Sequence, residues 1–307
     1  MESEFLGWLR TRLPQSPWLR LGPGDDAAVL RLGKTGEADV IVTVDLLTDG
    51  VDFRVGSDDP RRIGRKALAV NLSDLAAMAA VPRAIVIAAA LPRNGALELA
   101  CSLYEGLLPL AERYQVAIAG GDTNTWNGGL VLSVTAFGVP GPGGMLVRSG
   151  ARPGDEILVT GPFGGSILGH QFDFEPRVDE ALLLMQRYTL HAGIDCSDGL
   201  ARDLGRLCEA SGCGAEVQLD QVPIAPAAFE LSNQRGDGVT PLEHALHDGE
   251  DFELILAVPP HQSAKILADA PLNTPLTRIG RFIREPGLWQ IDASGKRSPM
   301  AAKGYEH

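Results

Sequence analysis

Aspartates stand where apolar runs end in this chain: Gly24-Asp25-Asp26, Val44-Asp45, Gly120-Gly121-Asp122-Thr123 and Ile194-Asp195-Cys196-Ser197-Asp198-Gly199. A further one, in Asn71-Leu72-Ser73-Asp74, falls on a predicted helix. A carboxylate bordering a buried strand is costly to desolvate unless a cation or hydrogen-bond donors offset it. Few basic residues flank these acids, so the pattern points to hard cations bound through oxygen, magnesium first, with a phosphate ligand.

The bulk numbers narrow the partners. With 27 Lys+Arg against 39 Asp+Glu the net charge is -12, which argues against a nucleic-acid partner, because phosphate contact needs a basic face. An anionic substrate would then need metal ions or local arginines. Cys101, Cys196, Cys208 and Cys213 form neither a Cys-x-x-Cys pair nor a compact ladder, so they read as core thiols. Phe5, Leu6, Trp8 and Leu9 have amphipathic-helix spacing within residues 1–13, not the pattern of a signal peptide. The longest apolar stretch, residues 84–91, is far too short to span a bilayer, so no membrane partner is expected and cytoplasmic residence follows by default.

The elements that must position the acids are short. Residues 40–47, 84–91, 116–119 and 130–139 are apolar or β-branched runs bounded by Gly, Pro, Asn or Asp, and predict strands. Between the first two, Asp58 or Asp59 caps a helix that opens on Pro60 and buries Ile63, Ala67, Leu68, Leu75 and Met78. A second helix is expected over 97–114. This order is an α/β layer sandwich. Pro140-Gly141-Pro142-Gly143-Gly144 is the strongest punctuation, and divides the chain into domains at 1–140 and 141–307. In the second half, strands are expected at 156–160, 215–219, 253–258, 277–283 and 288–291. Helices are expected after Ser166 and over 201–210, with Gly212 as stop. At 307 residues the chain is long enough for two α/β domains.

Several motifs compete with bland readings. Gly33-Lys34-Thr35 lacks the earlier glycine of a P-loop, since that position is Ala28, and the flanking runs predict a hairpin. Asp45 to Gly50 lacks the alternating acids of a calcium loop. Gly161-Pro162-Phe163-Gly164-Gly165-Ser166 is either a phosphate cradle or a plain tight turn. His244 and His247 read as surface residues, whereas Glu250 and Asp251, just before a buried-looking run, are better site candidates.

Together and in this order, the motifs resemble the thiamine-monophosphate kinase family, of the superfamily that includes aminoimidazole ribonucleotide synthetase and selenophosphate synthetase. The carriers are Gly24-Asp25-Asp26-Ala27-Ala28-Val29, Lys66-Ala67-Leu68-Ala69-Val70-Asn71-Leu72-Ser73-Asp74, Gly120-Gly121-Asp122-Thr123, Arg148-Ser149-Gly150-Ala151, Asp195-x-Ser197-Asp198-Gly199, Gly249-Glu250-Asp251-Phe252-Glu253 and the tail Lys303-Gly304-Tyr305-Glu306-His307. The resemblance implies a two-domain α/β fold like that of aminoimidazole ribonucleotide synthetase, whose first domain dimerises through its strands into a shared barrel with ATP near the subunit interface.

It further implies several Mg2+ ions on Asp26, Thr43, Asp45, Asp74, Asp122, Asp195 and Asp198, and nucleotide contacts at Gly121, Asp122, Arg148 and Ser197. Catalytic weight falls on Asp74, Asp122 and Asp198, and substrate contacts on Asp52, Glu250 and Ala302. The implied reaction is ATP plus thiamine monophosphate giving ADP plus thiamine diphosphate, in a homodimer. A phosphate monoester oxygen is already nucleophilic at neutral pH, so this chemistry asks for charge neutralisation and in-line placement more than for a general base. Asp52 stands where the family commonly has histidine, Ala302 where an aromatic contact is expected, and Val44 where threonine is usual. Two alternatives stay open: a superfamily relative using ATP on another acceptor, and a non-catalytic nucleotide-binding homologue.

Overall fold

The computed structural model describes residues 5, 7–9, 11–13, 16–32 and 38–305. The first half is built on a six-stranded sheet of β1 (Leu19–Leu21), β2 (Ala28–Leu32), β3 (Ala38–Thr48), β4 (Ala80–Pro92), β5 (Ala117–Trp126) and β6 (Val131–Pro140), in the order β1-β2-β3-β6-β4-β5. The β4–β5 pair is parallel and the others are antiparallel. A parallel pair needs a crossover, supplied here by the helix α2 (Ala96–Arg113).

The helix α1 (Pro60–Ala77) starts as its residues dictate: the Asp59 side chain accepts from the Arg61 N–H at 2.9 Å, and Pro60 occupies a first-turn position where its missing N–H costs nothing. Its apolar face, from Ile63 through Leu75, is buried. The two helices cross backbone on backbone. A Cβ at Gly64 would lie 1.9 Å from the Leu103 carbonyl oxygen, and one at Gly106 would lie 1.7 Å from that of Arg61.

The second half carries a seven-stranded sheet of β7 (Glu156–Thr160), β8 (Ala192–Asp195), β9 (Gly214–Gln218), β10 (Leu254–Val258), β11 (Leu276–Ile283), β12 (Gly287–Ile291) and β13 (Arg297–Met300), in the order β13-β12-β9-β11-β7-β10-β8. Around it run α3 (His170–Asp173), α4 (Val178–Arg187), α5 (Leu200–Ser211), α6 (Pro226–Arg235), α7 (Pro241–His247) and α8 (Pro260–Asp269). As expected, α5 stops at Gly212, which is left-handed at φ 65.

One hydrophobic core lies within the second half, around Val159, Leu204 and Phe282. The other crosses between the halves: Leu68, Leu72 and Leu75 belong to the same cluster as Phe172, Phe174, Leu184 and Phe252. The carboxylates of both halves are therefore held by one packed unit.

The structure departs from the sequence reading in several places. Gly120-Gly121-Asp122-Thr123 does not end a strand but lies inside β5, which continues to Trp126 as the sheet's edge. The two glycines read as punctuation, but they pair with Val86 and Ile87 of β4, after a register shift that leaves Ala119 as the extra residue. Gly161 to Ser166 leads into a three-residue 3-10 turn, Ser166–Leu168, and then the four-residue α3, not a full helix. Strands β1 and β13 and helices α4, α6, α7 and α8, none longer than ten residues, are not among the elements expected from the sequence, although Pro226, Pro241 and Pro260 stand at the starts of α6, α7 and α8. His244 is not on the surface: it lies on α7, buried, with Nδ1 3.0 Å from the Asp248 carboxylate. Of the predicted N-terminal helix, residues 5 and 7–9 are helical, while 1–4, 6 and 10 lie outside the described residues, as do Gly33-Lys34-Thr35 and the final Glu306-His307.

Candidate active site

Three carboxylates from distant parts of the chain converge. Asp26 precedes β2, Asp74 lies in the last turn of α1, and Asp195 ends β8; one oxygen from each lies within 4.8 Å of the others. Hydroxyls fix two of them: Thr43 on β3 donates to Asp74 and, at 3.3 Å, to the Asp26 carbonyl, while Ser73 donates to Asp195 at 2.5 Å. The Arg148 guanidinium donates to Asp26 Oδ1 at 2.6 Å, and the Arg148 amide donates to both Asp25 oxygens at 3.1 and 3.2 Å.

Those partners do not balance the charge. Asp26 Oδ2 and Asp45 Oδ2 are enclosed without a hydrogen-bond partner. Burial pushes the Asp74 carboxyl well above the ordinary range, reinforced by Asp45, Asp195 and Asp26; burial and then Asp26 do the same to Asp195. Asp45 is pushed up to about 6 by burial and by Asp52. Buried like charges that repel one another, with oxygen ligands already oriented by hydroxyls and two orphaned oxygens, fit a divalent oxygen-seeking cation such as magnesium.

Beside the cluster opens a cleft of about 1290 Å3, lined by Asp25, Asp45 and Arg148 near the acids and by Asp52, Glu250 and Tyr305 among others. Its walls join both halves of the chain. Ser197 and Asp198 also line it, at the start of α5, where the Asp198 amide donates to Asp203 at 2.8 Å and its carboxylate pairs with Arg206 at 2.6 Å.

Comparison with known proteins agrees with this architecture. Residues 24–140 match the family model for the N-terminal domain of AIR synthase related proteins, and residues 152–288 match that for the C-terminal domain. The thiamine-monophosphate kinase of Rhodopirellula baltica is 43% identical over 100% of this chain and 97% of its own length. The chain belongs to the thiamine-monophosphate kinase family.

Among solved structures, thiamine-monophosphate kinase from Stenotrophomonas maltophilia K279a is 34% identical, with a TM-score of 0.73 over 95% of this chain and 96% of that one. AaThiL complexed with AMPPCP and TMP is 25% identical, with a TM-score of 0.80 over 100% of this chain and 95% of that one.

In this member of the thiamine-monophosphate kinase family, not every residue singled out from sequence joins the cluster. Gly121 and Asp122 are exposed on β5. The register runs Asp45, Val134, Ile87, Gly121 across the sheet, three strand spacings or about 14 Å. Ala302 is exposed outside the cleft lining, its methyl close to Gly205 on α5; the aromatic lining the cleft near the tail is Tyr305, whose amide donates to the Asp198 carbonyl at 2.9 Å.

The glycine-rich loop 161–166 has its donors already engaged. Gly164 N and Ser166 Oγ donate to Asp251 at 2.9 and 2.5 Å, and Gly165 N donates to Asp248 at 3.0 Å, so it is a carboxylate-stapled turn and not an open phosphate cradle. Lys66, Ser73, Asp203 and Arg206 were not assigned roles from sequence. Arg202 and Arg206 had a signal available, since they follow Asp198 at helical spacings of four and eight.

Proposed function

We propose that this chain is a magnesium-dependent kinase that transfers the γ-phosphate of ATP to thiamine monophosphate, giving thiamine diphosphate and ADP. The observation that carries the reading is the Asp26, Asp74 and Asp195 cluster beside a cleft that also presents Arg148, in a chain similar along its full length to thiamine-monophosphate kinases. The likeness to AaThiL complexed with AMPPCP and TMP supports both the ATP and the acceptor parts.

Asp26, Asp74 and Asp195, with Thr43, Asp45 and Asp198, would hold the magnesium ions. Magnesium supplies charge neutralisation between two phosphate-bearing anions that otherwise repel. An oxygen of the acceptor phosphate attacks the γ-phosphorus, the bond from γ-phosphorus to the β,γ-bridging oxygen breaks, and ADP leaves with that electron pair. Arg148 and Ser197 orient nucleotide phosphates, and Arg148 can do so once a cation takes over the charge of Asp26. Asp52, Glu250 and Tyr305 face the acceptor. With Asp198 tied to Arg206 and to the Asp203 carboxylate, its placement is set before substrate arrives.

Gly121 and Asp122 serve a site in a homodimer, reaching the partner's cleft and not their own. The exposed edge strand β5 and the outward Val44 and Leu46, at 60% and 61% exposure, support pairing through this sheet. The proposed domain division is at 140/141, a reading supported by its position between the two sheets. Among the described residues no helix is long and apolar enough to cross a membrane, and use of ATP assigns the chain to the cytoplasm.

The test is chromatographic detection of thiamine diphosphate made by purified protein from Mg-ATP with and without thiamine monophosphate. Product that requires both substrates is expected. ATP binding with no thiamine diphosphate would overturn the reading.

A further inference from the structure

We infer that Lys66 is a positioning residue for the acceptor end of the cleft, acting through Glu250; the inference rests on the kinase reading above and deepens it. The Lys66 side chain is fully buried, at 0% exposure, on the same face of α1 as Ile63, Ala67 and Val70. Burying an ammonium is costly unless a counter-charge and acceptors for all three of its protons are supplied. All are supplied. Nζ donates to the Asp52 carbonyl at 2.9 Å and to Gln171 Oε1 at 2.7 Å, and pairs with Glu250 Oε1. The Phe172 ring lies 5.2 Å from Nζ.

These partners come from three separate segments: the loop after β3, the short helix α3, and the loop before β10. Two of the three, Asp52 and Glu250, line the cleft. A buried methionine would fill the same space without the desolvation cost, so the ammonium's contribution lies in where it holds its partners.

Glu250 is the partner that most needs holding. Its backbone is left-handed, at φ 65, as is that of Phe252, at φ 52. Side chains adopt this region at a cost and persist there when surroundings over-determine them. Here the Glu250 amide donates to the Ser197 carbonyl at 2.7 Å and the Phe252 amide to the Cys196 carbonyl at 2.8 Å. The backbone is thus tied to the segment carrying Ser197 and Asp198, and the side chain is tied to Lys66.

The pairing also sets charge. Lys66 offsets Glu250, and the Asp52 carboxylate, which accepts from the Thr48 amide at 2.7 Å, remains as the formal negative charge of this end. That arrangement suits an acceptor that brings one positive charge on a heterocycle and carries its phosphate toward Arg148 and the acidic cluster.

The experiment compares steady-state kinetics of wild type, Lys66→Met, Glu250→Gln and the double variant, with thiamine monophosphate and Mg-ATP varied separately. Lys66→Met is expected to raise KM for thiamine monophosphate about tenfold, the loss of one charge-assisted contact, while kcat and KM for ATP change less than about threefold. The double variant should be no worse than the poorer single variant, because both act through one contact. Multiplicative losses in the double variant, or a parallel loss in kcat and both KM values, would overturn the inference.

Should Lys66→Met fail to fold, Gln171→Leu, which removes one acceptor of the same ammonium, should shift KM for thiamine monophosphate alone in the same direction, and an unchanged value sinks the idea. A wild type that makes no thiamine diphosphate refutes the kinase reading separately. Calorimetric titration with thiamine monophosphate then decides on Lys66: binding weakened about tenfold in Lys66→Met supports the role, and equal binding or none overturns it.

Discussion

The guanidinium of Arg148 lies 2.6 Å from Oδ1 of Asp26, so a residue that follows the last strand of the first sheet neutralises a carboxylate between its first two strands. Asp26 Oδ2 has no such partner, and one oxygen each of Asp26, Asp74 and Asp195 lie within 4.8 Å of one another. Arg148 therefore bears a counter-charge role in the metal-free chain that a divalent cation can take over.

Replacing Arg148 with methionine should leave Asp26 uncompensated in a buried setting and destabilise the metal-free protein by about 3 kcal/mol. Magnesium should recover much of that loss. Thermal unfolding of wild type and Arg148→Met with chelator and with excess magnesium checks this, the expected result being a larger magnesium-induced rise in Tm for the variant. An equal rise in both would mean that the arginine and the metal do not share Asp26.

The acids also predict a pH dependence. Asp45 is raised from the ordinary 3.8 to about 6 by burial and by Asp52, and Asp25 to about 6 by burial and by Asp26. Between those values the folded chain keeps protons that the unfolded chain has released, so these groups cost stability as pH rises through the window from 3.8 to about 6. In chelator, Asp45→Asn should gain stability relative to wild type as pH rises through that window and hold the gain above it. Urea midpoints at a series of pH values measure the difference, and a gain that shrinks with rising pH would contradict the assignment.

If Asp122 serves the partner's cleft, Asp74→Asn and Asp122→Asn should each be folded and inactive, yet complement each other. Co-expression gives about half heterodimers by random pairing, each with one intact site of two, so about a quarter of wild-type activity should return. Zero recovery with heterodimers present would place Asp122 in the same site as the Asp74 of its own chain.

The crossing of α1 and α2 makes a prediction about stability. Gly64→Ala puts a methyl 1.9 Å from the Leu103 carbonyl, and the flexible end of a side chain is not what it meets. The helices must separate, at a cost of about 3 kcal/mol. Denaturant unfolding should show this, and Gly106→Ala should behave alike; a change within about 0.5 kcal/mol would mean the helix pair can slide at no cost.

Much of the framework was legible from local chemistry. Asp59 and Pro60 mark the start of α1, Gly212 marks the end of α5, and the apolar runs of β3, β4, β6 and β7 announce strands whatever lies around them. The edge strand β5 was read too short, because glycines that punctuate most chains are here held in a ladder by pairing with β4. His244 was misplaced for a related reason. Nothing in its own segment says that α7 will be packed against other helices, so its burial beside Asp248 is a property of neighbours.

The candidate site divides the same way. The sequence by itself determined that aspartates would border buried elements and that few local cations would offset them, and its resemblance to the family implied that Arg148, Ser197 and Glu250 accompany them. Tertiary structure alone decided that Asp26, Asp74 and Asp195 meet within 4.8 Å while Asp122 stands three strands away, that Tyr305 and not Ala302 lines the cleft, and that Lys66 is sealed between Asp52, Gln171 and Glu250. Propensity, capping and hydrophobic period act over a few residues, so they can be read along the chain. Which charged groups share a buried volume depends on how separate elements pack, and the cost of desolvating them is set by that packing.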